Sequence, residues 1–170
     1  IWRKCSTFFT SKADHEWHMI GGTSIRAHRH AASARGGQEK QALGRSCGGF
    51  SSKIHGTVDA LGMPLGFIIT AGQQSDIGQG EALLGNDYSG FLLADRGYDG
   101  DLFRKILVER GITPVIPGRK IIQYDEHTYK QRNAAKRFFG RIKEFRRIAT
   151  RYDKTACLFK GALLFASIIM

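Results

Sequence analysis

Apolar and polar positions along the chain follow distinct periods, and each marks an element. Ser51–Ala60 (SSKIHGTVDA) alternates at every second residue, which predicts a strand with one face buried. Leu61-Gly62-Met63-Pro64 reads as a turn, and Leu65–Thr70 as the returning strand of an antiparallel hairpin. Glu16–Arg26 contains WHMIGGTSIR, a short apolar strand interrupted by two glycines. Gly90–Ala94 (GFLLA) is a continuous apolar run, as expected of a central strand covered on both faces, and it ends at Asp95. Asp76 stands three residues before Gln79, a spacing that predicts a capped helix running to Leu84. Gly100–Arg110 reads as a helix stopped by Gly111, and Ile112–Ile116 as a strand ended by Pro117-Gly118. Two helices follow, over 127–148 and 154–169. Ile1–Ser11 reads as a short amphipathic helix. Ala27–Gly49 has no period and is rich in Ala, Gly, Ser, His and Arg, so it is expected to be a long mobile loop.

Strand, hairpin, helix, strand, helix, strand, helix, helix is the order of an α/β domain with a mixed sheet flanked by helices. A ribonuclease H-like fold has this order.

The most informative segment is Tyr129–Lys154. On a helix turning about 100° per residue, Phe138, Ile142, Phe145 and Ala149 share one side and form a core stripe. Tyr129, Arg132, Lys136 and Lys143 share the other, a narrow polar face able to meet a substrate. Phe138-Phe139, Trp17 and Phe91 are expected in the core.

Charge sharpens this picture. The 170 residues suffice for one domain with a sizeable core, and they carry a formal net charge of +11. Residues 119–160 hold 13 Lys/Arg against four Asp/Glu. Such an excess favours a polyanion, because each cation placed on a phosphate releases condensed counterions. Cys5, Cys47 and Cys157 stand apart, with no C-x-x-C pair and no H-x3-5-H, so a structural zinc site is not expected. His28, His30 and Cys47 could supply part of a metal site, a weaker reading. The isolated thiols fit a reducing, cytoplasmic compartment. No apolar run reaches the roughly 18 residues of a spanning helix, so no membrane partner is expected.

Asp95 is the best candidate for chemistry from position alone. It closes a buried strand beside Arg96-Gly97, a common place for a site, although a helix cap or a salt bridge to Arg96 would explain it equally.

Five stretches then point the same way. ADRGYD around Asp95, IRAHRHAASARGG at 25–37, KIHGTVDALG at 53–62, GQQSD at 72–76 and FRRIATRYDK at 145–154 occur in order over nearly the whole chain. Together with the Tyr-x2-Arg-x3-Lys-x6-Lys face, they resemble the bacterial insertion-sequence transposases of the DDE class, in the group called IS-four and IS-five. The resemblance implies a ribonuclease H-like catalytic domain over 1–170. Because the sequence starts at Ile1, it also implies that the family's N-terminal DNA-binding region is missing.

The family holds Mg2+ on three carboxylates and uses it to cut transposon ends and join them to target DNA. By resemblance, Asp95 is the second carboxylate and the remaining metal ligand. Tyr129, Arg132 and Lys143 occupy the family's DNA-positioning places; Arg26, as a phosphate contact, and Arg147 are expected beside them as further DNA-binding residues. The first carboxylate position falls on Gly21 and the third on Lys136. With two of three ligands gone, Mg2+ is not expected to bind, and Lys136 is expected to pair with Asp95. No other carboxylate among Asp14, Glu16, Asp59, Asp99, Asp101 and Glu144 is a convincing substitute. The expected activity is that of an impaired DNA transposase acting on double-stranded DNA in the bacterial cytoplasm, with a homo-oligomer as a further expectation. A non-catalytic DNA-binding remnant or regulator, and a ribonuclease H-like RNA binder, stay open beside it. The roles of His28 and His30 are undecided between touching DNA and ordering their loop.

Overall fold

A computed structural model describes residues 13–85, 90–118 and 125–170. The helix expected over Ile1–Ser11 lies outside them.

The first strand, β1 (Trp17–Ala27), runs unbroken through Gly21-Gly22. It pairs antiparallel with β3 (Gly49–Val58), which pairs antiparallel with β4 (Pro64–Ala71) as the expected hairpin. Gly62 turns that hairpin at φ +85°, a left-handed conformation that suits glycine. On its other side β1 pairs in parallel with β5 (Phe91–Leu93), and β5 with β6 (Thr113–Val115). Two short strands, β2 (Gly44–Ser46) on β3 and β7 (Thr150–Arg151) on β1, complete a mixed seven-stranded sheet among the described residues.

Successive strand residues point to opposite faces, so each face gathers its own core. Met19, Leu93 and Val115 pack on one side with Phe138, Phe139 and Ile142 of α5 (Asn133–Ile142) and Phe159 and Leu163 of α7 (Ala156–Ile169). Ile20 and Leu92 pack on the other with Leu83 of α2 (Ile77–Leu83) and Phe103 and Leu107 of α3 (Asp101–Glu109). The result is a sheet between two helical layers, an α/β architecture consistent with a ribonuclease H-like fold.

Four expectations need correction. The 27–49 connection is built, not shapeless: a 3-10 helix (Arg29–Ser33), α1 (Gly37–Lys40) and β2 occupy it. Its anchor is Arg151, which is fully buried and donates to the carbonyls of Gln41 (2.8 Å) and Ala42 (3.2 Å) and to Ser52 Oγ (2.6 Å). Secondly, the helix expected over 127–148 is three pieces: α4 (Glu126–Lys130), α5 and α6 (Arg146–Ala149). The chain straightens at Phe145 and leaves the helix again at Thr150, where β7 must extend to pair with β1. Phe91, at the exposed start of β5, is 43% exposed and not core. Finally, Asp76 precedes α2 but makes no capping bond from its side chain.

Candidate functional site

Gly21 and Asp95 each lie two residues beyond Met19 and Leu93, the last pair of the parallel β1–β5 ladder. α5 crosses β1 there on the Met19 face. A cleft of about 320 Å3 opens between them, and Gly21, Thr23, Arg132, Lys136 and Lys143 line it. The fold therefore brings together Gly21 and Lys136, the two positions where the resemblance expects carboxylates, and two of the expected DNA-positioning cations.

Asp95 is held from two directions. Its Oδ1 accepts from the Gly97 amide at 2.9 Å and caps the 3-10 turn Arg96–Tyr98. Its Oδ2 accepts from Arg132 Nη2 at 2.9 Å. The cationic partner is thus Arg132, not Arg96. The structure likewise departs from the expected pairing with Lys136, which is exposed and forms no ion pair with the described residues. Arg132 sits one turn earlier on the same helical face, and its side chain is mostly covered. Its Nη1 lies 3.5 Å from Tyr129 Oη, with the guanidinium 5.8 Å from the Tyr129 ring centre.

The floor of the cleft is aromatic. Gly21 faces Gly56 across the β1–β3 ladder, and the Phe139 ring covers both. A Cβ at Gly21 would meet Phe139 Cε2 at 3.1 Å, and one at Gly56 would meet Phe139 Cζ at 3.1 Å.

On the opposite face of β1 a second carboxylate approaches Asp95, one that sequence reasoning had given only a capping role. Asp76 accepts from Lys53 Nζ at 2.9 Å and lies 3.3 Å from Nδ1 of the buried His55. Gly22 and Gly97 leave the room it occupies. A Cβ on Gly22 would fall 2.4 Å from Asp76 Oδ1, and one on Gly97 would meet Asp95 Oδ1 at 2.8 Å and Asp76 Oδ2 at 3.3 Å. Burial raises the Asp76 pKa, but the contacts from His55 and Lys53 outweigh it and hold the carboxyl below its ordinary range. Burial, with both Asp76 and Asp95 nearby, pushes the Tyr98 phenol well up. Spacing could have flagged Asp76 only through the alternation that puts Lys53 and His55 on one face of β3.

The other candidates lie outside the cleft. Arg26 is exposed near the end of β1. Arg147 is mostly exposed and bound to Asp153 through two contacts of 3.1 and 2.6 Å. Of the carboxylates weighed as substitutes, Asp99 is bound to Arg104 at 2.8 Å and Asp59 accepts from the Leu61 and Met63 amides. Among the described residues no three His, Cys, Asp or Glu side chains converge as a metal site.

A mixed sheet between helices, with an aspartate closing the strand beside β1 and a helix crossing it, defines a protein of the ribonuclease H-like class. Residues 19–166 match the model of the transposase DDE domain family, and the chain belongs to that family. It is 35% identical over 117 residues to a protein of Brucella ovis assigned as transposase for insertion sequence element IS6501, covering 65% of this chain and 90% of that one. It is 33% identical over 125 residues to a protein of Burkholderia cepacia assigned as transposase for element IS402, covering 66% of this chain and 58% of that one. The DDE transposase family uses Mg2+ and acts on DNA. No helix among the described residues is long and apolar enough to cross a membrane.

Proposed function

We propose that this chain is an insertion-sequence transposase domain that keeps its grip on duplex DNA but has lost its metal chemistry. The observation carrying this reading is the 2.9 Å bridge from Arg132 to Asp95, beside a cleft lined by Arg132 itself and by Gly21 and Lys136, the two positions where the family's other acids are expected. Mg2+ takes hard oxygen ligands, and two-ion phosphoryl transfer needs several carboxylates on one point. Here the one carboxylate is bound by a guanidinium, and the Lys136 and Lys143 ammoniums line the neighbouring cleft, so the cations repel a divalent ion. Asp76 does not repair the set, since Lys53 and His55 already engage it. These residues do not fit the family's ion. What remains is a cleft able to take phosphate oxygens on Lys136 and Lys143, with Arg132 joining if it leaves Asp95.

The test is to incubate the chain with duplex bearing the element's own ends, with and without Mg2+ or Mn2+. Binding should be retained and should fall steeply between about 50 and 200 mM salt, with no cutting. Metal-dependent cutting that disappears in Asp95→Ala would overturn the proposal. Tighter binding to RNA than to duplex DNA would favour the ribonuclease H-like RNA binder instead.

A further inference from the structure

Two of the matched stretches, RAHRH and TRYD, meet at a place the cleft does not use. The His28 ring stacks with two others. Its centre is 5.2 Å from that of His30, with planes 13° apart, and 4.9 Å from that of Tyr152, with planes 27° apart. All three residues are exposed, and Tyr152 is 55% exposed. The stack is therefore at the surface and not in a core.

The ground beneath them is fixed. The His28 amide donates to the Arg151 carbonyl at 2.9 Å, and Arg26 and Ala27 pair with Thr150 and Arg151 in the sheet. Arg151 in turn is tied to Gln41, Ala42 and Ser52. The His30 amide donates to His28 Nδ1 at 3.3 Å, which sets one ring against the next. Arg26, Arg29 and Lys154 flank the stack in sequence and are exposed. The neighbouring Asp153 is engaged by Arg147. Exposed, preordered rings among cations are what an unpaired nucleotide requires: a flat face for its base and positive charge for its phosphate. β1 leads from Gly21 to the stack, roughly 20 Å at about 3.3 Å per residue. A strand leaving the cleft along β1 would reach it after several nucleotides.

We propose that His28, His30 and Tyr152 form a stacking platform for an unpaired base of DNA held in the Asp95 cleft. This rests on the reading that the chain binds DNA.

The experiment compares fluorescence anisotropy of the purified chain with three labelled probes: a blunt duplex, the same duplex with a short single-stranded overhang, and that overhang made abasic. The overhang should bind roughly tenfold tighter than the blunt duplex for each base stacked, and the abasic overhang should lose the gain. Tyr152→Ala and His28→Ala should bind all three probes alike, while Tyr152→Phe keeps the preference. Equal affinity for base-bearing and abasic overhangs overturns the platform, and so does an undiminished preference in Tyr152→Ala. The probe comparison on the unaltered chain decides the matter even where a variant fails to fold. Loss of all binding, blunt duplex included, would instead overturn the DNA reading and the platform with it.

Discussion

A Cβ at Gly21 would sit 3.1 Å from the Phe139 ring, so an aspartate there needs the ring to give by a few tenths of an ångström. On the proposed reading, restoring an acid at this position has to accommodate that contact as well as supply the charge. Asp95, by contrast, is already held by Arg132 at 2.9 Å. His18 shows a different residue-level effect. It is buried, its Nε2 lies 3.0 Å from His15 Nδ1, and burial followed by the His15 charge lowers its pKa to about 4. The unfolded chain takes up this proton near pH 6.5, whereas the folded chain resists it until about pH 4. Stability from His18 is therefore complete above about 6.5 and is lost as pH falls toward 4. Urea unfolding across this range should show the slope, and His18→Leu should flatten it whatever its effect at pH 7.

At the scale of elements, what was legible depended on how far apart the partners lie. The hairpin β3–β4 and the strand β5 were legible because their patterns are local: alternation, a glycine turn, an apolar run ending at an acid. The 27–49 connection was not, because Arg151, more than a hundred residues away, supplies its order. Of the face expected to hold Tyr129, Arg132, Lys136 and Lys143, the last three line one cleft while Tyr129 sits on the separate α4, and which cation reaches Asp95 depends on side-chain length and on how α4 meets α5, which no period records. The spacing suggests Asp76 as a side-chain cap, which it is not, and does not show it as the partner of Lys53 and His55, which lie on a strand more than twenty residues earlier. Arg151 gives a direct check on this account of the connection. It makes five hydrogen bonds from its guanidinium, three of them to residues 41–52 and two to the carbonyls of Asp153 and Lys154. Lysine cannot reproduce that fork. Arg151→Lys should cost about 3 kcal/mol in equilibrium unfolding and expose 27–49 to early proteolysis. Unchanged cleavage of that segment would show that the connection holds itself.

For the whole molecule, the excess of positive charge and the cleft make one prediction about DNA and one about metal. Lys143 lines the cleft, whereas Arg147 is bound to Asp153. Lys143→Ala should weaken duplex binding across sequences and reduce the salt slope by about 1, and Arg147→Ala should do less. A titration of affinity against salt for the two variants checks this. The central claim, that the Asp95 cleft has become cationic and rejects divalent ions, is tested most directly by melting temperature with and without Mn2+. A ligand that binds only the folded state raises the midpoint by mass action, roughly 5–10 °C for a domain of this size at a hundred times its dissociation constant. The unaltered chain should show no rise. Gly21→Asp alone and Lys136→Glu alone should show little, since each leaves one ligand missing. The double variant should show the rise, with Phe139 displaced and Arg132 drawn off Asp95. A metal-dependent rise in the unaltered chain that is lost in Asp95→Ala would contradict the account and mean that the site still holds its ion.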